Sequence, residues 1–354
     1  MKKLEKVKTP CSISFYSHIA DMAGCGNIRI IYPYMLLNTY FSKTYQFNAF
    51  YSDRYVMDQR LYNSKNFICF QRSATKDQKT IVDYCIKTNP GKCIVYEIDD
   101  NLLDIPEWNF ASGFYRENTD HIKEILEMVP CMTVSTVPLK KVMDKYCDNI
   151  SVISNHLPKF IWGEPEDRTK ETKRVRILYA GSYNHFDQSG NGGDFPKELV
   201  KFIIDTASKY KWIFVGGIPK ELRENSKIEH HEWKSIHELP SFLKSLNVDI
   251  ALAPLEDNIF NRCKSNIKAL ESVALGVPLV SSAIPDGPYN NLKGNCETTI
   301  FFIHTIELLA NNTDLRSKYW QDQYNTLKSR LFWEDNDNLL KYVNSHLRFL
   351  GKKL

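Results

Sequence analysis

The chain has 354 residues, of which 43% are hydrophobic and 25% are charged, and its formal net charge is +4 at pH 7. This length exceeds one ordinary core and predicts two domains of roughly 150 to 170 residues each. The small positive excess neither demands nor excludes a polyanionic partner. The nine cysteines show no CxxC pair and no zinc-type spacing, and no apolar run reaches membrane-spanning length. We therefore expect a cytoplasmic protein with reduced thiols and no transmembrane segment.

Short β-rich runs alternate with helical patterns in the first half of the chain. The predicted strands cover residues 12–16, 66–70, 93–98, 131–134 and 150–153. The predicted helices between them cover residues 28–40, 77–88, 118–128 and 139–146. This alternation is typical of a parallel, doubly wound sheet.

A second series of the same kind begins near residue 175. Its predicted strands cover residues 175–179, 212–215, 250–253 and 278–281, and its predicted helices cover residues 198–209, 237–246 and 267–275. The charged, proline-containing stretch before it predicts a linker. We expect an α/β protein with a first Rossmann-like domain at 1–158, a linker at 159–174, a second such domain at 175–316, and terminal helices at 317–354 that pack back on the first. Ligands should bind in the central cleft, beyond the carboxyl ends of the strands.

The loop after the first predicted strand reads DMAGCGNIR. Gly24 and Gly26 precede a helix that Arg29 joins near its first turn. Glycines let a backbone approach a ligand closely, and amides at a helix N-terminus favour anionic oxygens. The loop therefore predicts an anion site, with an ordinary turn before a helix as the alternative.

Two stretches of the second domain predict contacts with a phosphate group. The sequence AGSYNHFD places Gly181, Ser182 and His185 after a strand. Further on, NRCKSNIKALE places polar residues where a helix begins and a carboxylate one turn inside it. The residues predicted to offer amides, cations and a carboxylate are Lys264, Ser265, Asn266, Ile267, Lys268 and Glu271. The alternative is an ordinary capped helix with an exposed glutamate.

The run E-x-x-A-x-G-x-P-x-V, from Glu271 to Val280, resembles the nucleotide-sugar motif of family-four-like glycosyltransferases of the GT-B fold. Also similar to that group are AGSYNHFD, IFVGGIP and VDIALAPLEDN in the second domain. In the first domain, DMAGCGNIR, YEIDDNLLDIP and VISNHLP resemble a bacterial and phage-encoded branch of it. The likeness covers most of residues 12–300 and implies two Rossmann-like domains facing a cleft.

The resemblance implies a role for each matching position of the second domain. Glu271 would bind the ribose of the donor, and the amides at 265–267, with Lys264 or Lys268, would bind its diphosphate. Gly217, within 216–218, would border the base. These enzymes often carry a second glutamate eight residues before the ribose-binding one, and that position is Cys263 here. The identity of the sugar is therefore left open.

The stretch YEIDDN ends a predicted strand and contains three carboxylates. Glu97 to Asp99 superficially fits the D-x-D metal site of another glycosyltransferase fold, but in GT-B enzymes cations and helix N-termini commonly replace the ion, so we expect no obligatory metal. Asp99 or Asp100 would instead orient or deprotonate the attacking hydroxyl. Asp21 and His121 are further catalytic candidates, and a turn or helix cap is the alternative for Asp100.

The predicted function is transfer of a sugar from a nucleoside diphosphate sugar, most simply a UDP-sugar, to an acceptor hydroxyl, with retention implied by the resemblance. Residues 51–92 hold eight basic and four acidic side chains with interleaved aromatic ones. This pattern predicts a face that follows a phosphate backbone, with a solvated helix surface as the alternative. Because phage enzymes of the GT-B type glycosylate hydroxymethylated bases, the resemblance favours duplex DNA with such bases as the acceptor, in a bacterial or phage-infected cell. A surface glycan is the alternative acceptor, and a non-catalytic sugar-nucleotide-binding protein is the alternative function.

Overall fold

The computed structural model describes residues 13–40, 47–55, 59–63, 65–187, 193–335 and 337–351. Six parallel strands form the first sheet, in the spatial order β2-β1-β3-β4-β5-β6. Their bounds are Ser14–His18 (β1), Asn48–Ser52 (β2), Phe67–Gln71 (β3), Cys93–Ile98 (β4), Cys131–Val134 (β5) and Ile150–Val152 (β6). All residues of β1, β3, β4 and β5 are buried, as expected for a parallel sheet that is covered on both faces.

Among the described residues of the first half of the chain, six helices pack around this sheet. The first, α1, is continuous through Gly24–Gly26, a π-helical turn at Asn27–Ile31, and Tyr32–Tyr40. The others are Gln59–Asn63 (α2), Lys76–Thr88 (α3), Ser112–Glu117 (α4), Thr119–Met128 (α5) and Val137–Met143 (α6). Thr75 and Gln78 form a capping box at the start of α3, and Thr136 caps α6.

The second sheet is also parallel and six-stranded, in the order β12-β11-β10-β7-β8-β9. Its strands are Arg176–Gly181 (β7), Lys211–Gly216 (β8), Glu229–His231 (β9), Ile250–Ala253 (β10), Leu279–Ser282 (β11) and Asn295–Cys296 (β12). After the short crossing helix α7 (Lys159–Trp162), its helices are Lys197–Thr206 (α8), Leu239–Ser245 (α9), Ile259–Arg262 (α10), Ile267–Leu275 (α11) and Thr299–Ala310 (α12). The prediction of two doubly wound α/β domains is confirmed.

The last two helices belong to different domains. Helix α13 (Thr313–Leu327) packs on α11 and α12, whereas α14 (Asn338–Leu347) packs on α1 and β6. Trp333, Leu339 and Val343 are buried in the same core cluster as β1 and α1. The chain therefore crosses between the domains twice, and Leu331 and Phe332 still pack in the second domain, whereas the described residues from Trp333 on pack on the first.

The two crossing segments are bonded to each other. The amide of Leu157 donates to the carbonyl of Leu331 at 2.8 Å, and the amide of Trp333 donates to the carbonyl of Leu157 at 3.0 Å. His156 Nδ1 lies 2.7 Å from the carbonyl of Arg330. Among the described residues, no helix is long and apolar enough to cross a membrane.

Part of the aromatic, basic pattern predicted as a binding face over residues 51–92 lies in the core. Tyr62, Phe67 and Phe70 are fully buried, so these rings are core residues rather than a stacking surface. Lys65 is also buried, and Arg72 pairs with carboxylates. Tyr51 of the same stretch is 39% exposed, so a binding face around the remaining residues stays a prediction. Position 58 of that stretch lies outside the described residues.

Candidate functional site

The carboxyl ends of both sheets meet at one cleft. Several polar contacts between described residues join their loops. Lys264 Nζ lies 4.0 Å from Asp100 Oδ1. Asn155 donates to Ser265 Oγ at 2.8 Å. Trp108 Nε1 donates to Glu256 at 2.8 Å. Candidate residues that are far apart in the sequence are thus brought to the same edge.

Two glycines allow the loops after β7 and β8 to approach each other. The amide of Gly217 donates to the carbonyl of Gly181 at 2.7 Å. A Cβ at Gly181 would lie 2.5 Å from Tyr179 Oη and 2.8 Å from Lys268 Nζ. A Cβ at Gly217 would lie 2.6 Å from the ring of Phe186. A side chain at Gly181 would close the space in front of Lys268, and Ser182, the next residue of the loop after β7, is exposed.

Helix α11 points its N-terminus at this space. Asn266 is its N-cap, but its side chain makes no capping hydrogen bond. The first amides of a helix have no intrahelical partner, so those at the start of α11, from Ile267 on, can bind an anion. Ser265, just before the cap, accepts the hydrogen bond from Asn155 of the first domain.

The two lysines of α11 and the loop before it face neutral groups. Lys268 Nζ donates to the carbonyl of Ala180 and lies 5.0 Å from the centroid of the Tyr179 ring. Burial lowers the pKa of Lys268 to about 8. Lys264 Nζ lies 4.4 Å from the centroid of the Phe260 ring. The charge of Lys268 thus faces neutral groups, whereas Lys264 also lies 4.0 Å from Asp100 Oδ1 of the first domain.

Glu271 lies one turn further along α11, in a small hollow that Lys268 and Ala180 also line. Burial raises the pKa of Glu271 to about 7, and the nearby Lys268 only partly opposes this rise. A half-buried carboxylate gains from accepting hydrogen bonds, as a ribose diol would supply. Its role in ribose binding stays a prediction.

His185 forms a short contact with a residue that sequence reasoning missed. Its Nδ1 lies 2.6 Å from Oδ2 of Asp194, whose side chain is fully buried. The other carboxylate oxygen of Asp194 accepts from the amide of Glu256 at 3.0 Å and from Asn261 Nδ2 at 2.6 Å. Burial lowers the pKa of His185 to about 4. The only sequence signal was the GGD stretch, which by itself is an ordinary loop pattern.

Arg29 was predicted to help bind the diphosphate, but it lies inside the first domain. It is 2% exposed, and its Nε is 2.6 Å from Glu97 Oε1. Its Nη1 donates to the carbonyl of Ile153 and to Asn155 Oδ1. Burial would lower the pKa of Arg29, but Glu97 and Asp99 outweigh it and raise the pKa. Arg29 therefore joins α1 to the ends of β4 and β6, with its charge neutralised.

The loop with Gly24 and Gly26 is organised by Asp21. Its Oδ1 accepts from the amide of Ala23 at 2.8 Å, and its Oδ2 lies 2.7 Å from the sulfur of Cys25. A Cβ at Gly26 would lie 1.8 Å from the Asp21 carbonyl oxygen, whereas a Cβ at Gly24 would meet nothing within 4 Å. Asp21 and Gly26 thus have local structural tasks, and Gly24 is the exposed position.

Asp99 and Asp100 share one arginine. Arg72, which has a positive φ of 47°, donates from Nε to Asp99 and from Nη2 to Asp100 Oδ2, the latter at 2.6 Å. Burial would raise the pKa of Asp100, but Lys264 and Arg72 outweigh it and lower the pKa. Asp100 is thus an ionised carboxylate at the cleft, held between an arginine of its own domain and a lysine of the other.

The structure does not bring His121 to these carboxylates. His121 lies on α5, and its Nδ1 is 3.8 Å from Glu124, which pairs with Lys79 of α3. Cys263 is fully buried in a core cluster of the first domain, and its carbonyl accepts from Thr136 at 2.8 Å. Across the described ranges, no group of three or more His, Cys, Asp or Glu side chains is arranged to hold a metal ion.

The comparisons with known proteins bear on the fold. No family model matches the chain, and no curated protein matches it. Solved structures do match, at low identity. An α,α-trehalose 6-phosphate synthase from Burkholderia multivorans is 10% identical with a TM-score of 0.59, over 96% of this chain and 99% of that one. An O-GlcNAc transferase mutant from Thermobaculum terrenum is 10% identical with a TM-score of 0.55, over 96% of this chain and 68% of that one.

TarM is 12% identical with a TM-score of 0.50, over 79% of this chain. The chain spans 54% of the length of TarM, about half. Together with the two parallel sheets that face one cleft, these similarities establish the GT-B fold of glycosyltransferases. The predicted fold is confirmed, and the roles of individual residues stay predictions.

Proposed function

We propose that the chain is a glycosyltransferase that moves a sugar from a nucleoside diphosphate sugar to an acceptor hydroxyl. The observation that carries this proposal is the arrangement of groups in the first turns of α11. There the N-terminus of α11, Lys268 and Glu271 offer free amides, a cation and a carboxylate side by side. A diphosphate needs the first two and a ribose diol the third.

The donor that we propose is a UDP-sugar. The names of two similar structures support this choice, an O-GlcNAc transferase and a UDP-forming α,α-trehalose-phosphate synthase. Lys264, Lys268 and the amides of α11 would hold the diphosphate, as GT-B enzymes commonly do without a metal ion. The base would lie against the loop that contains Gly217.

In the proposed reaction, the bond between the anomeric carbon and the phosphate oxygen breaks, and its electron pair stays on that oxygen. The acceptor oxygen forms the new bond to the anomeric carbon and passes its proton to the departing phosphate oxygen. Preorganised amides and cations stabilise the growing charge on the leaving group. Because Asp100 has a lowered pKa, it is a weak base. We therefore propose that Asp100 orients the hydroxyl and that the sugar is transferred with retention.

We propose a polyhydroxylated glycan as the acceptor. A cavity of about 490 Å³ lies behind Asp194 and beside Glu256. Its lining also includes Asp257 and Glu297 but no lysine or arginine. Such a lining accepts hydrogen bonds from sugar hydroxyls and repels a phosphate backbone. Tyr62, Phe67 and Phe70 of the stretch that favoured modified DNA are core residues, so DNA is the alternative that the experiment includes.

The test is a matrix of UDP- and GDP-sugars against three kinds of acceptor, read by mass spectrometry. The acceptors are oligosaccharides, duplex DNA with 5-hydroxymethylcytosine, and the same duplex without it. We expect an adduct on an oligosaccharide, lost in Glu271→Gln and kept in Glu127→Gln, which alters an exposed glutamate on α5. An adduct on the modified duplex alone would instead establish the DNA alternative.

Two other outcomes separate the remaining possibilities. If the donor bound tightly, was not hydrolysed and gave no adduct on any acceptor, the alternative of a non-catalytic binding protein would be favoured. Its one supporting feature is the buried Cys263 in place of a glutamate. If no nucleotide sugar bound to the wild-type protein, the proposed function would be wrong.

A further inference from the structure

His185 and Asp194 form a dyad whose chemistry the proposed function does not yet use. We propose that this dyad takes up one proton when the donor binds, and that the protonated ring donates from Nε2 to the diphosphate. This inference rests on the proposed function of the cleft. His185 would then be a third cation at the leaving group, with a charge that is absent until the donor binds. Asp194 would be the residue that positions the His185 ring.

The dyad is fixed from both sides. Asp194 has a fully buried side chain and holds the amide of Glu256 and the side chain of Asn261 through Oδ1. Its own amide donates to the carbonyl of His185 at 3.0 Å. Gly193, with a φ of +121°, lets the chain come this close to His185, because a Cβ at this position would lie 2.7 Å from the same carbonyl. His185 therefore has a fixed partner on one ring nitrogen.

That partner determines the proton on the ring. A carboxylate can only accept, so Nδ1 of His185 carries the hydrogen that is donated to Asp194. In the neutral ring, Nε2 then has a lone pair and cannot donate. A lone pair facing a phosphate oxygen is repulsive, whereas a protonated Nε2 forms a charge-assisted hydrogen bond. Donor binding thus favours uptake of a proton at Nε2.

Binding of a diphosphate would change the charges around His185 so that they also favour protonation of its ring. Lys264 and Lys268 lie near the ring and disfavour its protonation, and Asp194 favours it. Asp100 faces it from the first domain, and the Tyr179 ring lies 6.2 Å away on β7. Burial, the largest cause, keeps the pKa near 4 without ligand. A diphosphate would neutralise both lysines and add a negative charge, and one close opposite charge shifts a pKa by roughly 1–3 units.

The consequence for the reaction is electrostatic. The proton stays on His185, and its hydrogen bond strengthens as negative charge grows on the phosphate oxygen. Such a bond is stronger in the transition state than in the ground state, which is the condition for acceleration. After release of the nucleoside diphosphate, the ring returns its proton to solvent.

Isothermal titration calorimetry measures the uptake. UDP-glucose, or the donor found in the turnover matrix, is titrated at pH 6 into the protein in buffers of different ionisation enthalpy. The donor diphosphate does not titrate near this pH, and comparison with His185→Gln subtracts the protons that Glu271 and other groups exchange. We expect the wild-type protein to take up at least about half a proton more per donor than His185→Gln, since the unliganded ring is neutral at pH 6.

Asp194→Asn separates positioning from a structural role. The Asn oxygen can still accept from the amide of Glu256, and its amide can donate to Nδ1 of His185. The neutral ring then carries its hydrogen on Nε2 and donates without uptake. We expect Asp194→Asn to lose the uptake while donor binding weakens by about tenfold or less. His304→Gln, on the exposed face of α12, is the matched control and should behave as the wild type.

The outcomes are distinguishable from failure of the proposed function. Equal proton uptake in wild type and His185→Gln, with donor binding intact, would overturn the dyad and leave the glycosyltransferase proposal standing. Undiminished uptake in folded Asp194→Asn would overturn the role of Asp194. If no donor bound to the wild type, the proposed function would fail, and the dyad proposal would fall with it.

Discussion

The two edges of the cleft both carry buried or half-buried cationic side chains, but the groups around these side chains differ. On the first domain, Arg29 and Arg72 meet carboxylates at hydrogen-bond distance, so their charge serves the fold. On the second domain, Lys268 meets an aromatic ring and a carbonyl, so its charge remains for a ligand, and Lys264 is only 4.0 Å from a carboxylate. A charged residue in a loop at a cleft therefore indicates a binding role only when no oppositely charged neighbour is paired with it.

Arg29 gives the largest test of this contrast. Arg29→Met would leave Glu97 buried without its partner, which costs roughly 3–5 kcal/mol of unfolding free energy. Urea unfolding measures it. Arg116→Met, at a largely exposed pair with Glu107, is the control and should change stability by less than about 1 kcal/mol. We expect donor affinity of the folded protein to change less than about twofold in Arg29→Met. Lost donor binding at unchanged stability would show that Arg29 contacts the ligand after all.

Adding a single methyl group at Gly181 tests whether the donor binds beside Lys268 in the second domain. In Gly181→Ala, the new Cβ would displace Lys268 and Tyr179, which it would approach to 2.8 and 2.5 Å. Overpacking of this kind costs about 1–3 kcal/mol, which we expect to appear as donor affinity weakened by roughly tenfold to a hundredfold in calorimetry. Gly113→Ala, where a Cβ would meet nothing within 4 Å, is the control. Equal affinity in both variants would remove the space beside Gly181 from the donor site.

Lys268 predicts how donor affinity depends on pH. Its pKa is about 8 in the unliganded protein because of burial, and a bound diphosphate would raise it. The attraction is therefore fully present below pH 8 and is lost as pH rises above it, by up to about tenfold per unit. Titrations between pH 7.5 and 9.5 measure the slope. Lys268→Met should bind more weakly and show a flatter dependence over this range. A steep slope that persists in the variant would assign it to another group.

The contact between Lys264 and Asp100 predicts the smallest effect. At 4.0 Å and partly exposed, the pair contributes at most about 1 kcal/mol. Asp100→Asn would release Lys264 toward the diphosphate, so we expect donor affinity to improve by up to about threefold. If Asp100 also orients the acceptor hydroxyl, kcat falls in the same variant. Weaker donor binding in Asp100→Asn would place the carboxylate on the donor side instead.

The fold was predictable because strand and helix patterns are local. Cys93–Ile98, Cys131–Val134, Ile250–Ala253 and Ile267–Leu275 match their predicted bounds. The short edge strands β2, β9 and β12 were missed, since edge strands carry little continuous hydrophobicity. Pairings between distant residues could not be predicted from one sequence. No spacing rule links Arg29 to Glu97, or His185 to Asp194, and only their meeting in space separates an internal ion pair from a ligand contact.

The double crossing between the domains also has a consequence for motion. One covalent crossing would leave the domains free to bend, twist and slide. Here two crossings, at Leu157 and at Leu331 to Trp333, are hydrogen-bonded to each other. Two segments that are hydrogen-bonded to each other resist twisting and sliding more than bending. Rotation of one domain relative to the other about a single axis through the two segments would then be the easiest motion. Opening of the cleft would then follow a single arc. Lys264 and Asp100, on its opposite walls, would separate and rejoin along the same path in each cycle.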